Sequence, residues 1–127
     1  MIHVSAAIIH NDKGEVLICQ RGPGGNCEFL WEFPGGKQEP DETSEDCLLR
    51  ECREELNVEI GIDDLFAETA YAYPDREIAF AFFDAHIVSG TPKMDVHNDM
   101  KWILPEDMSK YDLCPADITV IKKLQKC

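Results

Sequence analysis

Apolar and polar positions along the chain alternate in two ways, and each way predicts a different kind of element. Period-two alternation and short apolar runs predict strands over residues 2–10, 15–21, 29–36, 65–88 and 100–104. The first two strands are predicted to form a hairpin, because residues 11–14 have the composition of a turn. Segment 65–88 is predicted to be two long strands joined through residues 73–76.

Two segments have the 3.6-residue period of helices. The first begins at Thr43, a plausible N-cap, and ends at Leu56, and the second covers residues 115–126 with Pro115 in its first turn. Strands interleaved with two helices favour an α/β (α+β) fold, in which helices cover a mixed sheet in an α/β/α sandwich. At 127 residues, the chain is expected to form a single domain over positions 1–127.

The first predicted helix has two chemically different faces at about 100° per residue. Its apolar face carries Leu49, Cys52 and Leu56, with Leu48 at the edge. Its opposite face, which is not expected to pack, carries Glu51, Glu54 and Glu55, with Arg50 beside Glu54.

Two interpretations of this acidic face are open. On a solvated surface, each like-charge pair costs only about 0.2–0.5 kcal/mol. In a partly enclosed site, two carboxylates about 6 Å apart repel by about 3 kcal/mol, so three stay ionised together only with a cation among them. The apolar strand and Pro-Gly-Gly bend before the helix favour an enclosed site, and oxygen donors favour Mg²⁺, with Mn²⁺ as a substitute.

Charge and composition exclude several classes of protein. With 25 acidic and 12 basic residues, the net charge of −13 disfavours binding to a nucleic-acid polymer. No apolar run reaches the roughly 18 residues of a membrane-spanning helix, so no membrane partner is expected. The six cysteines have neither CxxC nor zinc-ligand spacing, and free thiols in the cytoplasm are expected.

The acidic helix and the loop before it resemble a known motif. Gly36, Glu42 and residues 50–58 resemble the Nudix box, Gly-x5-Glu-x7-Arg-Glu-U-x-Glu-Glu-x-Gly-U, where U is aliphatic. Cys52 stands in place of the aliphatic residue, and Asn57, which tolerates left-handed backbone, replaces the closing glycine. Further stretches at 31–37, 73–83 and 113–124 are similar to MutT-type nucleoside triphosphate pyrophosphohydrolases of the Nudix family.

The resemblance implies the Nudix fold and a reaction. Water attacks the β-phosphorus of a nucleoside triphosphate, which gives a nucleoside monophosphate and pyrophosphate. The implied metal ligands are the Gly36 carbonyl and the carboxylates of Glu51, Glu54 and Glu55. Arg50 is expected to orient a carboxylate, Glu54 or Glu55 to act on the water, and Glu42 to anchor the loop. The further acid that relatives carry before the late tryptophan falls at Val96, so the fourth ligand is open: Asp95 and Asp99 are candidates, with simple turn residues as the more common alternative.

The same resemblance implies residues that bind the nucleotide: Arg21, Phe33, Lys37, Tyr73, Arg76 and Asp117, with Leu113 as a further wall of the base pocket. As a carboxylate, Asp117 accepts hydrogen bonds, which suits the cytosine amino group or the N1–H and N2–H₂ edge of a guanine-like base and disfavours uracil. Segments 40–42 and 115–118 are similar to the CTP-cleaving branch and segment 73–76 to the 8-oxo-dGTP-cleaving branch.

The sequence therefore leaves three functions to be distinguished. The first is nucleotide-pool housecleaning on 8-oxo-dGTP or a cytosine nucleotide, by a monomer or homodimer. The second is a Nudix hydrolase of a nucleoside diphosphate linked to another group, which the short chain disfavours. The third is a binding module without turnover, which predicts erosion of the box, whereas its charged residues are all present.

Overall fold

The computed structural model describes residues 1–25, 27–94 and 96–126. In these ranges the elements are β1 (Ile2–Ile9), β2 (Val16–Gln20), β3 (Trp31–Glu32), β4 (Gly35–Lys37), α1 (Ser44–Leu56), β5 (Glu59–Tyr73), β6 (Arg76–Ser89), β7 (Asp99–Ile103), a 3-10 helix (Pro105–Lys110) and α2 (Pro115–Gln125). No α-helix in the described part of the chain has the length and apolar character needed to cross a bilayer.

The strands form two sheets rather than the single sheet expected. The larger sheet is mixed and has the order β4-β1-β6-β5, with β1 parallel to β6 and the other pairs antiparallel. The smaller sheet is antiparallel and has the order β3-β2-β7. The predicted long hairpin is confirmed as β5 and β6, although β5 begins at Glu59 rather than at Leu65.

The predicted hairpin of the first two strands is wrong. The turn itself forms, because the Asn11 side-chain oxygen accepts the backbone N–H groups of Lys13 and Glu15, each at 3.0 Å. However, β1 and β2 meet only in an isolated bridge between His10 and Val16. β6 pairs with β1 from Ile2 to Ile9 and β4 pairs with Val4 to Ala6 on its other edge, whereas β2 pairs with β3 and β7 in the smaller sheet.

Alternate residues of β1 pack against the two helices, which confirms a sheet layer between helices. Ala6 and Ile8 belong to the core cluster that contains Val120 and Leu124 of α2. Ala7 and Ile9 belong to the other cluster, with the buried α1 residues Leu48, Cys52 and Leu56. Leu48 therefore lies at the centre of the buried face, whereas Leu49 is only half-buried, the reverse of the expected arrangement.

The segment from Trp31 to Lys37 crosses from one sheet to the other. Trp31 and Glu32 pair with β2, while residues 35–37 pair with β1, so the expected single strand is two short ones. A Cβ on Gly35 would lie 1.9 Å from the Ser5 carbonyl oxygen, so only glycine allows this close approach. The crossing places Gly36 against Glu51 of α1, the Lys37 carbonyl against Arg50, and Glu32 near Glu55.

Helix α1 begins and ends as the sequence predicts. The Thr43 side chain caps it by accepting the Asp46 backbone N–H at 3.0 Å. Asn57 ends it in the left-handed region, with φ 57° and ψ 40°.

We expect Asn57→Ala to destabilise the fold by about 1 kcal/mol, because a Cβ-bearing residue without a short polar side chain is strained in left-handed backbone. Asn57→Gly is expected to be at least as stable as the wild type. Urea unfolding of the two variants measures this, with Glu45→Ala on the exposed face of α1 as a control expected within about 0.5 kcal/mol of wild type. Equal stability of Asn57→Ala and Asn57→Gly would contradict the assigned helix end.

Candidate active site

The side chain of Arg50 joins the loop before α1 to the acidic face of the helix. Its Nε and Nη2 atoms donate to the two carboxylate oxygens of Glu42 at 2.7 and 3.0 Å. Its Nη1 atom donates to Glu51 at 2.9 Å and to Glu54 at 3.3 Å. Nη2 also donates to the Lys37 carbonyl at 3.0 Å. One guanidinium thus fixes three carboxylates and the end of β4.

Glu42 has the geometry of a loop anchor. Besides the paired hydrogen bonds from Arg50, it accepts the Glu39 backbone N–H at 2.9 Å. The hydrogen bond from Arg50 and then that from Glu39 lower the pKa of Glu42 to about 2. Glu42 therefore stays ionised and hydrogen-bonded to Arg50 and to the loop.

The three glutamates of α1 are not equally exposed. The Glu54 side chain is 60% exposed, as expected of a face that does not pack. The side chains of Glu51 and Glu55 are only 15% exposed, so the expectation of a fully unpacked acidic face is wrong for these two. Burial, then a hydrogen bond and charge repulsion from Glu51, and then the charge of Glu32 raise the pKa of Glu55 to about 9.

Gly36 lies directly against the Glu51 carboxylate. A Cβ at position 36 would be 2.3 Å from the Glu51 carboxyl carbon and 2.5 Å from each of its oxygens. Any larger residue would therefore have to displace the carboxylate. Glycine brings the β4 backbone and the acidic helix face into contact.

The chemistry of this donor set fits a divalent cation. Glu55 resists ionisation beside Glu51 and Glu32, and a cation is the partner that would let these carboxylates ionise together. Among the described residues, no group of three or more His, Cys, Asp or Glu side chains is arranged to hold an ion as it stands. Because Arg50 holds Glu51 and Glu54, these side chains have to turn before they can ligate.

A cleft of about 190 Å³ opens beside the Gly36 backbone. Its lining includes every residue predicted to bind the nucleotide: Arg21, Phe33, Lys37, Tyr73, Arg76 and Asp117. Leu113 is not among the described lining residues, and its side chain packs in the core instead.

Asp117 lies at the buried end of this cleft, with 5% of its surface exposed. One carboxylate oxygen accepts the Phe33 backbone N–H at 3.1 Å. Burial first, and then the charge of Glu32, hold the pKa of Asp117 well above its ordinary value. Asp117 therefore keeps its proton to a higher pH than the unfolded chain does, and in its protonated form it can also donate one hydrogen bond.

A second cleft of about 360 Å³ adjoins the first. The two share Arg21, Glu32 and Gly35, and the second also contains Glu55 and His97. Arg21 donates to Glu32 at 3.2 Å, so this ion pair lies at the boundary between the two clefts. Of the four predicted catalytic residues, Glu55 is among the described residues that line the second cleft. The described linings of the two clefts do not include Arg50, Glu51 or Glu54.

The whole chain can be compared with known proteins. The model of the NUDIX domain matches residues 1–124. The chain belongs to the NUDIX domain family. A CTP pyrophosphohydrolase of Escherichia coli (strain K12) is 38% identical over 122 residues, which cover 96% of this chain and 90% of the relative. An 8-oxo-dGTP diphosphatase of the same strain is 30% identical over 125 residues, covering 98% and 97%.

A solved structure agrees with this assignment. The solution structure of the E. coli ORF135 protein superposes with a TM-score of 0.85 at 37% identity, over 99% of this chain and 89% of that one. The Nudix fold and the enzyme class expected from the box, a Nudix hydrolase, are thereby confirmed. Nudix hydrolases as a family need divalent metal ions.

Four ionisable residues among the described lining of the two clefts were not predicted as site residues from the sequence: Glu32, His97, Cys27 and Cys114. Glu32 carried one signal, since it is a charged residue between the buried aromatics Trp31 and Phe33. The cysteines and His97 carried none, because contacts between distant segments bring them to the clefts.

The segment expected to supply a further acid has a different arrangement. Val96 lines the second cleft and is 61% exposed. Asp99 lies on β7 opposite Gln20 and is not among the described lining residues. Asp95 lies outside the described residues.

The raised pKa of Asp117 predicts how stability depends on pH. The folded state keeps the Asp117 proton to a higher pH than the unfolded chain does. In the unfolded chain, the carboxyl has its ordinary pKa of 3.8. Stability is therefore lost as the pH rises above about 4. Asp117→Asn removes this loss, so its stability relative to wild type is expected to increase between pH 4 and pH 7. Urea unfolding at both pH values measures the difference, and a constant difference would contradict the assignment.

The contact of Gly36 with Glu51 predicts a local defect. Gly36→Ala is expected to displace the Glu51 carboxylate and to weaken Mg²⁺ binding by roughly tenfold or more, the size of loss that displaced outer ligands already cause. Isothermal titration with Mg²⁺ measures this, with Gly22→Ala, where a Cβ meets nothing within 4 Å, as the control. Unchanged Mg²⁺ affinity in a folded Gly36→Ala protein would remove Glu51 from the ligand set.

Proposed function

We propose that the protein is a Mg²⁺-dependent pyrophosphohydrolase of nucleoside triphosphates. Its role would be housecleaning of the nucleotide pool. The observation that supports this most is the joining of two clefts: one ends at Asp117 and is rimmed by cationic side chains, and the other contains Glu55. A nucleotide has the matching layout, with a base at one end and phosphates at the other.

In this proposal, the first cleft holds the nucleoside. Phe33 and Tyr73 offer aromatic faces to the base, and Asp117 hydrogen-bonds its polar edge. Arg21, Lys37 and Arg76 neutralise phosphate oxygens. These cations stand out in a chain whose net charge is −13, which supports an anionic ligand at this place.

Glu51, Glu54, Glu55 and the Gly36 carbonyl would hold the cation, with Mn²⁺ as a possible replacement. When bound, the cation supplies neutralisation of the phosphate charge and lowers the pKa of water. Arg50 holds Glu51 and Glu54 close together while Glu42 fixes the loop, so the backbone on the helix side of the site is in place before these carboxylates turn towards the cation.

Glu54 is the better candidate to take the proton from the attacking water. Its carboxylate is the exposed one, whereas Glu55 faces inward between Glu51 and His97. Attack at the β-phosphorus then gives a nucleoside monophosphate and pyrophosphate.

We place a cytosine nucleotide first among the substrates, because the E. coli CTP pyrophosphohydrolase is similar over nearly the whole chain. Asp117 would accept a hydrogen bond from the cytosine amino group. An 8-oxo-dGTP substrate is the second candidate, supported by the E. coli 8-oxo-dGTP diphosphatase.

We also propose that the protein is cytoplasmic, that it is a monomer or homodimer, and that it has no nucleic-acid polymer as a partner. The support for a cytoplasmic location is that the five described cysteines are all free and buried, as in a reducing compartment.

The function is tested by nucleoside monophosphate formation from CTP, dCTP, 5-methyl-dCTP, UTP, dGTP, 8-oxo-dGTP and a nucleoside diphosphate sugar, with Mg²⁺ and with EDTA, and by pyrophosphate release from the triphosphates. We expect Mg²⁺-dependent release that is fastest with a cytosine nucleotide. Preference for 8-oxo-dGTP would select the second candidate. Turnover of the diphosphate sugar alone, or of none of the compounds, would contradict the proposal.

Glu54→Gln separates catalysis from folding in the same assay. We expect turnover to fall by at least about a hundredfold, the contribution of general acid–base catalysis, with an unchanged melting temperature. The matched control is Glu45→Gln, an exposed acid in the first turn of the same helix, which is expected to keep full activity. Retained activity of Glu54→Gln would remove Glu54 from the mechanism.

A further inference from the structure

His97 is a buried histidine next to the acidic site. It belongs to the segment just before β7, and only 4% of its side chain is exposed. Its Nε2 atom lies 3.4 Å from a carboxylate oxygen of Glu32 and 3.5 Å from one of Glu55. Its Nδ1 atom is buried and has no hydrogen-bond partner among the described residues.

Ordinary packing does not account for this side chain. A buried ring nitrogen without a partner is destabilising, and native proteins rarely keep one without a reason. The two carboxylate contacts are also longer than the usual N–H···O range of about 2.7–3.2 Å. The imidazole is thus buried among charged groups without a hydrogen bond of normal length.

The same distances are typical of donors that share one ion. Two ligands at about 2.1 Å from a cation are about 3.0 Å apart at right angles and about 3.4 Å apart at the tetrahedral angle. The contacts of Nε2 with Glu32 and Glu55 are 3.4 and 3.5 Å. Small rotations of the two carboxylates would bring the three donors around a common centre.

The described residues of the surrounding segment, which do not include Asp95, offer few competing ligands. Val96, at the position where an acid is expected, has no donor in its side chain, and Asp99 points to the N–H of Met100 on β7. Among the described residues that line the second cleft, His97 is therefore the one from this segment whose side chain can donate an electron pair to a cation.

We propose that His97 is a nitrogen ligand of the divalent cation, bound through Nε2 beside Glu55. The inference rests on the metal site of the proposed function and changes its donor set from all oxygen to mixed oxygen and nitrogen. Imidazole binds Mn²⁺ more readily than it binds Mg²⁺, which prefers oxygen ligands. The site therefore favours Mn²⁺ over Mg²⁺ more than an all-carboxylate site would.

Electron spin echo spectroscopy of the full chain loaded with Mn²⁺ tests the proposal without any substitution. Nitrogen bonded to Mn²⁺ modulates the echo, and uniform ¹⁵N-histidine labelling changes that modulation only if the nitrogen is from histidine. We expect a histidine nitrogen coupling in the wild type. Bound Mn²⁺ without such a coupling would overturn the proposal.

Variants identify which of the four histidines is responsible. His97→Gln, which supplies an oxygen donor instead, is expected to lose the nitrogen coupling. It should also reduce the preference for Mn²⁺ over Mg²⁺ in competition titrations by roughly tenfold or more. The matched control is His86→Gln, an exposed histidine paired with Asp63, which is expected to change neither quantity. Coupling that persists in a folded His97→Gln protein would overturn the assignment.

These measurements separate the inference from the function on which it rests. Pyrophosphate release together with bound Mn²⁺ and no histidine coupling overturns the role of His97 alone. A folded wild-type protein that binds no Mn²⁺ overturns both.

Discussion

The guanidinium of Arg50 is the contact on which the acidic site depends. It binds both oxygens of Glu42, one oxygen each of Glu51 and Glu54, and the Lys37 carbonyl, all within 3.3 Å. Without it, a loop and a helix face that carry several carboxylates would repel each other. Its five donor N–H groups in a rigid plane suit this task, which a lysine could not perform.

Arg50 also divides the carboxylates into two kinds. Glu42, paired with Arg50, has its pKa lowered to about 2. Glu55 has no such partner, and burial beside Glu51 and Glu32 raises its pKa to about 9. The carboxyl groups whose charge is not compensated are therefore those around Glu55, which lines the second cleft. This is the place where a cation would be most stabilising, and a triphosphate would bring its own charge to the same position.

Local sequence patterns predicted most of the helices and strands, and the resemblance to the Nudix family named the charged residues Arg21, Lys37, Arg76 and Asp117, which line the first cleft. The cap at Thr43, the end of α1 at Asn57 and the β5–β6 hairpin depend on neighbours in the chain, so spacing and turn chemistry are sufficient to find them. The pairing of β1 was mispredicted because it is decided by competition with β6, a partner more than seventy positions away. Glu32 and His97 were missed for the same reason: their nearness to Glu55 follows from the packing of β3 and β7 around β2, not from a motif.

Hydrolysis in ¹⁸O-labelled water tests the central claim, that the two clefts together cleave a nucleoside triphosphate at its β-phosphorus. The wild-type protein would be given Mg²⁺ and CTP, and the products would be followed by ³¹P NMR, which resolves ¹⁸O bonded to each phosphorus. The account predicts equal amounts of CMP and pyrophosphate, with the label in the pyrophosphate. Label in CMP, or release of orthophosphate in place of pyrophosphate, would contradict it.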